Sequence, residues 1–195
     1  GSVQRQTFTH WELVVVDDGS TDATPAVLAD LARADPRIRI ITLPNNEGVC
    51  AARNRGIAAA TGEALLFLDA DDWIADDAIA TLCDALGAKS DAIAAYGLFA
   101  RVTPGGESLA APFASALADH ALNCLAHRCP VTINSVLVRR QSIMAIGGFA
   151  PLDTCEDWDL WVRLASTGAR FVGTDKLVAY YAMRQGSLSG NYRQM

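Results

Sequence analysis

Two short apolar runs that end directly in carboxylates do most to narrow the folds open to this chain. Glu12–Asp17 (ELVVVD) leads into Asp17-Asp18-Gly19, and Ala64–Leu68 leads into Asp69-Ala70-Asp71-Asp72. Runs of this length are too short for helices and read as buried strands. Helical segments stand between them. Ser20, Thr21 or Asp22 can cap a helix whose Val27, Leu28 and Leu31 form an apolar stripe, and Gly48–Ala60 is an alanine-rich helix closed by Thr61-Gly62. A further strand, Arg37–Leu43, ends at Pro44. Strands alternating with helices predict an α/β domain.

The remaining chain continues the pattern. A helix is expected over Asp76–Leu86, a strand over Ala92–Tyr96 and a loop over Thr103–Pro112. A helical stretch over Ala116–Ala126, a strand over Asn134–Arg139 and a short helix over Arg140–Ile146 precede the Gly147-Gly148 break. Trp158, Trp161, Val162 and Ala165 recur at i, i+3, i+4 and i+7, which predicts a helix over Glu156–Ser166 with both tryptophans on its core stripe. Short strands near Phe171–Gly173 and Leu177–Tyr181 complete the set. No internal repeat or low-complexity linker divides the chain, so one domain is expected.

Composition excludes some functions. With 195 residues, 51% of them hydrophobic and 19% charged, the chain can bury a core and is not of disordered composition. A net charge of -6 argues against a general nucleic-acid binder, which needs basic residues to neutralise phosphates. No run approaches the roughly 18 apolar residues of a membrane span, and no signal peptide is visible. Five scattered cysteines without a CxxC pair read as reduced thiols of a cytosolic protein, mostly core filler. Cys124, His127 and Cys129, with His120 nearby, fit no standard zinc spacing.

The carboxylate clusters carry the chemistry. Adjacent like charges repel, and carboxylates are costly to desolvate unpaired, so packing alone does not account for three aspartates within Asp69–Asp72. On an extended strand end Asp69 and Asp71 would point the same way, offering two oxygen ligands to Mg²⁺ or Mn²⁺. The bland alternative is a solvated loop with Asp72 capping the next helix. The carboxyl ends of strands are where open α/β sheets bind ligands. At Asp17-Asp18 the same placement suits a carboxylate that accepts hydrogen bonds from a nucleobase.

Five motifs extend this reading: Trp11–Asp22 (WELVVVDDGSTD), Asn46–Gly56 (NEGVCAARNRG), Gly62–Trp73 (GEALLFLDADDW), Gly147–Phe149 (GGF) and Glu156–Leu164 (EDWDLWVRL). In order and spacing they resemble the signatures of family 2 glycosyltransferases. The resemblance implies a GT-A-like, Rossmann-like fold, a mixed sheet flanked by helices that binds a nucleotide-diphospho-sugar. It also implies that residues 1–195 form a single catalytic domain lacking the family's first strand with its Pro-x-Tyr-Asn-like segment. A sheet without that strand would expose unpaired edges, which leaves pairing with a second chain open.

By the same resemblance, Asp17 or Asp18 would contact the donor base and Arg53 would lie near the base or phosphates. Asp69 would bind the ribose, Asp71 would bind Mn²⁺ or Mg²⁺ holding the diphosphate, and Asp72 would be a further ligand or stand behind one. Asp157 would be the base that takes the proton of the acceptor hydroxyl, ionised in part by its place at a helix N-terminus. The activity implied is inverting transfer from a nucleotide sugar, a UDP-sugar, to a saccharide or lipid-linked acceptor in cell-surface polysaccharide biosynthesis. The setting implied is cytoplasmic or peripheral at the inner membrane face. The other reading is a catalytically silent nucleotide-sugar or glycan-binding module. A dehalogenase-type phosphatase does not fit, because Asp71 is followed by Asp72-Trp73, and no G-x-G-x-x-G marks a dinucleotide site.

One departure generates a test. Where many family members carry a histidine that can ligate the metal, this chain has Arg184. A guanidinium cannot hold a cation but pairs well with phosphate. Arg184→Ala should therefore weaken donor binding and make it more dependent on metal, as read by titration with and without Mn²⁺. Unchanged affinity in both conditions overturns the contact.

Overall fold

The computed structural model describes residues 1–113, 117 and 121–183. Strand β1 (Leu13–Asp17) pairs in parallel with β2 (Ile38–Thr42), in the register Leu13↔Ile38 to Asp17↔Thr42. Helix α1 (Thr24–Ala34) connects them, and α2 (Val49–Ala59) follows β2. The second sheet has five strands in the order β3-β6-β5-β7-β4. These are β3 (Ala64–Leu66), β4 (Trp73–Ile74), β5 (Ala92–Val102), β6 (Val136–Arg139) and β7 (Arg170–Ala182). Among the described residues of this sheet, β5 and β7 run parallel and the other pairs are antiparallel. Helices α3 (Ala78–Gly87), α4 (Ala121–Leu125), α5 (Arg140–Ala145) and α6 (Glu156–Ser166) complete this mixed α/β architecture.

The elements match the sequence expectations in kind, but the strand expected over Ala92–Tyr96 runs on to Val102, and the one expected over Asn134–Arg139 begins at Val136, after a 3-10 turn over Ile133–Ser135. The expected strand over Ala64–Leu68 stops at Leu66, because the chain then turns at Asp69–Asp72, with the Asp72 amide donating to the Asp69 carbonyl at 3.1 Å. Strand alternation therefore does not govern where Asp69 and Asp71 point. The turn lets Trp73 and Ile74 join β7 opposite Tyr180 and Ala179. The two short strands expected near Phe171–Gly173 and Leu177–Tyr181 are one strand. Its register slips against β5 between Tyr96 and Leu98, which absorbs the intervening polar residues. Of the helical stretch expected over Ala116–Ala126, α4 covers Ala121–Leu125, while residues 116 and 118–120 lie outside the described residues.

Alternation along β5 sends side chains to two cores. Ala94 and Tyr96 pack on one face with Phe171 and with Leu160, Trp161 and Leu164 of α6. Ala95 and Phe99 pack on the other with Leu82 and Leu86 of α3. The many alanines of β5 let helices close in on both faces. Helix α1 has no fully buried residue, and its Val27 and Leu31 remain exposed.

Side chains tie the two sheets together. The Glu12 carboxylate, just before β1, accepts hydrogen bonds from the Thr61 amide (2.6 Å), the Thr61 hydroxyl (2.7 Å) and the Gly62 amide (2.9 Å), and pairs with Arg39 on β2 (3.2 Å). Burial pushes the Glu12 pKa up, but these donors outweigh it and hold it below the usual range. No helix among the described residues is long and apolar enough to cross a membrane.

Trp161 is fully buried as its helical spacing predicts, and its indole N–H has no hydrogen-bond partner among the described residues. Trp161→Ala should therefore cost about 3–5 kcal/mol. Trp161→Phe should cost less than half as much, because it removes an unsatisfied donor along with part of the volume. Denaturant unfolding of the two variants measures the difference.

Candidate active site

The site gathers at the ends of β1 and β3 and the start of α6, and Arg53 on α2 joins its parts. The Arg53 guanidinium donates to Asp69 at 2.8 Å and to Glu156 at 2.7 Å, and its carbon lies 5.2 Å from the centre of the Phe149 ring. Its side chain is 11% exposed, against 39% for Asp69 and 17% for Glu156. Burial works against the charge, but the two carboxylates outweigh it and raise the Arg53 pKa further. Arg53 is thus an interior bridge rather than a helix-surface ion pair.

The neighbouring Asn54 clamps the glycine motif. Its amide donates to the Phe149 carbonyl and accepts from the Phe149 amide, both at 2.9 Å. Gly148 has φ +75, and a Cβ there would collide with the Asn54 side-chain oxygen. Arg163 of α6 then binds the Ile146 and Gly148 carbonyls (3.1 and 2.8 Å) while pairing with Asp159 at 2.7 Å. The GGF segment is thereby held between α2 and α6. This clamp was not foreseen in the sequence, although Asn54 and Gly148 both stand in motifs quoted for it.

The two aspartates closing β1 have different duties. Asp18 accepts the Glu47 and Gly48 amides at 2.7 and 2.8 Å, fastening the loop before α2. Gly19 (φ +74) lets that turn pass against Asn45 and Asn46, where a Cβ would come within 2.7 Å of backbone. Asp17 is 4% exposed; one of its oxygens accepts the Ser20 amide at 3.1 Å, and the other is buried without a partner among the described residues. Such an acceptor is costly to leave unmet and calls for a donor. Asp22 accepts the Thr24 amide at 2.9 Å, at the start of α1.

The Asp69–Asp72 turn is also divided. Asp72 faces inward, accepting from the Asn134 side chain at 2.9 Å and from the Ala182 amide at 2.8 Å, so its two oxygens tie the turn to the segment before β6 and to β7. Asn134 had no sequence signal. Asp71 is partly buried in the turn, and Asp69 keeps one oxygen on Arg53. Among the described residues no three His, Cys, Asp or Glu side chains are grouped to hold a metal. This donor set suits a cation held mainly by a diphosphate and water with one or two protein carboxylates, the habit of Mg²⁺. His120, of the discounted zinc set, lies outside the described residues, as does Arg184.

Asp157 begins α6 beside Glu156, after Cys155 in a left-handed conformation (φ 59) rare for a residue with a Cβ. Its carboxylate accepts the Trp158 amide at 2.7 Å. Burial dominates and raises the Asp157 pKa; the Trp158 amide pulls it down, Glu156 and Asp69 push it up, and Arg53 pulls it down. The expectation that the helix N-terminus would favour ionisation is outweighed by desolvation. The Trp158 indole donates to the Leu125 carbonyl at 2.6 Å, so this tryptophan braces α4 against α6, while its ring also lines an open surface groove with Leu152 and Cys155. Cys155 is exposed and so departs from the expected core filler.

Known proteins give the class first. The fold matches that of TarS from S. aureus, solved in complex with UDP-GlcNAc, with a TM-score of 0.73 at 24% identity over 97% of this chain and 55% of that one. It equally matches the mannosyltransferase PcManGT from Pyrobaculum calidifontis, solved with GDP-Man and Mn²⁺, with a TM-score of 0.73 at 21% identity over 97% of this chain and 53% of that one. This is the GT-A fold of sugar-nucleotide transferases. Residues 1–147 match the model of Glycosyl transferase family 2, and the chain belongs to that family of sugar-transferring enzymes. It is 29% identical, over 97% of its length and 74% of the relative's, to TuaG of Bacillus subtilis (strain 168), a protein named for teichuronic acid biosynthesis. It is 28% identical, over 97% of its length and 72% of the relative's, to the Escherichia coli diphosphoundecaprenol-directed β-1,3-glucosyltransferase WfgD. The chain spans about half the length of the solved structures it matches and 26% of EpsH of Bacillus subtilis (strain 168), to which it is 38% identical over 92 residues.

Arg53→Ala would leave two part-buried carboxylates without their cation. The loss should be about 3 kcal/mol, the low end of what breaking a buried pair costs, because Asp69 still sees solvent. Arg53→Lys should recover only part of it, since one ammonium cannot span both partners as the guanidinium does. Urea unfolding of both variants checks the order.

Proposed function

We propose that the chain is an inverting glycosyltransferase that moves a sugar from a nucleoside-diphosphate donor, a UDP-sugar, to a hydroxyl of a saccharide or lipid-linked acceptor. The observation that carries this reading is the Arg53 bridge. It brings Asp69, at the carboxyl end of β3, beside the start of α6 with its half-buried carboxylate Asp157. WfgD is named for a UDP-Glc donor and TarS was solved with UDP-GlcNAc, which supports the donor class.

In this reading the unmet oxygen of Asp17 accepts an N–H of the base, and Asp18 positions the loop beside it. Asp69, oriented by Arg53, accepts from the ribose hydroxyls. Asp71 would be the protein ligand of Mg²⁺ or Mn²⁺, and Asp72, spent on Asn134 and Ala182, positions the turn that carries it. When bound, the cation offsets negative charge on the diphosphate. Asp157 accepts the proton of the acceptor hydroxyl as that oxygen bonds to the anomeric carbon. The bond from that carbon to the diphosphate oxygen breaks, its electron pair leaving with the nucleotide. Attack opposite the leaving group inverts the anomeric centre. A raised pKa makes Asp157 a stronger proton acceptor than an ordinary aspartate at the moment of transfer.

Asp157→Asn should lower transfer by at least about 10²-fold while leaving UDP affinity unchanged. Transfer by the unmodified chain should fall on acidification at a pH above that at which an exposed aspartate protonates. The stability sign follows from the raised pKa. The folded state holds the proton more tightly than the unfolded chain, so the group's contribution is fully present below the unfolded pKa and lost as pH rises through the folded one. Asp157→Asn should therefore melt a few degrees higher than the unmodified chain near neutral pH and alike in acid. Retained transfer by Asp157→Asn removes the assignment of the base.

A further inference from the structure

A second concavity lies beside the candidate site, and none of its lining residues is among those assigned to the donor above. It encloses about 210 Å³ between the end of β5 (Phe99, Arg101), Phe113 of the following loop, and the segment Arg128–Pro130. That is below the roughly 300–1,000 Å³ of pockets for larger ligands and suits one sugar unit or one phosphoryl group. Its floor is apolar: Phe99 is buried and meets Phe113 edge to face, with ring centres 6.0 Å apart. The Phe99 and Phe113 backbones also exchange hydrogen bonds at 2.9 and 3.3 Å, so the loop wall is fastened to the strand. The charges on its lining are Arg101 and Arg128, both on exposed residues. Among the described residues no carboxylate forms a salt bridge with Arg101. Two positive charges around an apolar floor stand out in a chain of net charge -6.

Two of the walls are shared with the site. Arg101 is paired in register with Tyr181, next to Ala182, whose amide holds Asp72. Beyond Pro130 the other wall runs to Asn134, which holds the second oxygen of Asp72. Cys129, in that wall, has its thiol pushed up to about 12, chiefly by burial and next by the Asp157 carboxylate. The cavity thus shares strand β7 and the segment before β6 with the partners of the Asp69–Asp72 turn.

We propose that this cavity is the acceptor subsite and that it selects a saccharide carrying a negative charge, a sugar carboxylate or a phosphate linked to the sugar, with Arg101 and Arg128 as its ion partners. The proposal rests on the glycosyl-transfer reading above. Guanidinium forks match both carboxylate and phosphate oxygens, and aromatic side chains pack against the apolar face of a sugar ring. Charge recognition by the arginines and proton removal by Asp157 would then act on one acceptor molecule.

The test is calorimetric titration of the full chain, first with UDP in Mg²⁺ and then, at saturating UDP, with hexyl glucoside, hexyl glucuronide and hexyl phosphoglucose. At least one anionic probe should bind about tenfold tighter than the neutral glucoside. Arg101→Gln should abolish that preference without changing UDP affinity, Arg101→Lys should restore most of it, and Arg128→Gln should reduce it. Preference for the glucuronide identifies a carboxylate acceptor, and preference for the phosphoglucose a phosphate-linked one. Equal binding of charged and neutral probes, no probe binding, or a preference surviving Arg101→Gln overturns the proposal. Absence of UDP binding counts instead against the donor-site reading.

Discussion

The buried guanidinium of Arg53 is the interaction on which the site depends. Its partners stand 16 and 103 residues away, on the turn after β3 and at the start of α6. A cation this deep is tolerable only because two carboxylates and their hydrogen bonds offset its desolvation, and each carboxylate in turn needs the cation. The three charges therefore fix one another's positions. Since α6 is also locked to the GGF segment through Arg163, and that segment to α2 through Asn54, the arrangement closes into a ring of polar contacts around Phe149. Asp157 inherits its place from this ring rather than from any bond to Arg53.

Several acidic residues, Asp18 and Asp72 of the expected site among them, make framework contacts. Glu12, Asp18 and Asp72 each spend their oxygens on backbone amides or side-chain donors at junctions between elements. A carboxylate that accepts several N–H groups is a strong local staple, and it costs less to bury than an unpaired one. What distinguishes Asp17 is an oxygen left unmet in a buried position. Counting aspartates in a motif cannot separate these cases; the separation depends on which amides the fold brings within reach.

Much of the architecture was legible because its elements follow local rules. Helix α6 occupies the stretch that its tryptophan spacing marked, and β1 and α2 lie within a residue or so of their expected limits. The ordered motifs identified the family. Long-range pairing hid the rest. Two residues, Trp73 and Ile74, form a strand only because β7 offers an edge, stacking Trp73 on Tyr180 at 5.7 Å. The continuity of β7 depends on a register slip against β5, and the use of Asn134 on a turn that carries no periodic pattern.

Asp157 shows how opposing local effects are decided by burial. A helix N-terminus and a 2.7 Å amide bond both favour its ionised form, and Arg53 adds to them. Dipole and surface-charge effects of this kind are worth about 0.3–1 kcal/mol where solvent reaches them. Desolvation of a carboxylate is larger, and Glu156 and Asp69 reinforce it with like charge. The same Arg53 that makes the site possible is already shared between those two carboxylates and so only partly compensates a third. The raised proton affinity of Asp157 therefore comes first from burial, which Arg53 only partly offsets. The cation holds Asp69 and Glu156, and its commitment to those two leaves it able to offset only part of the desolvation of the third.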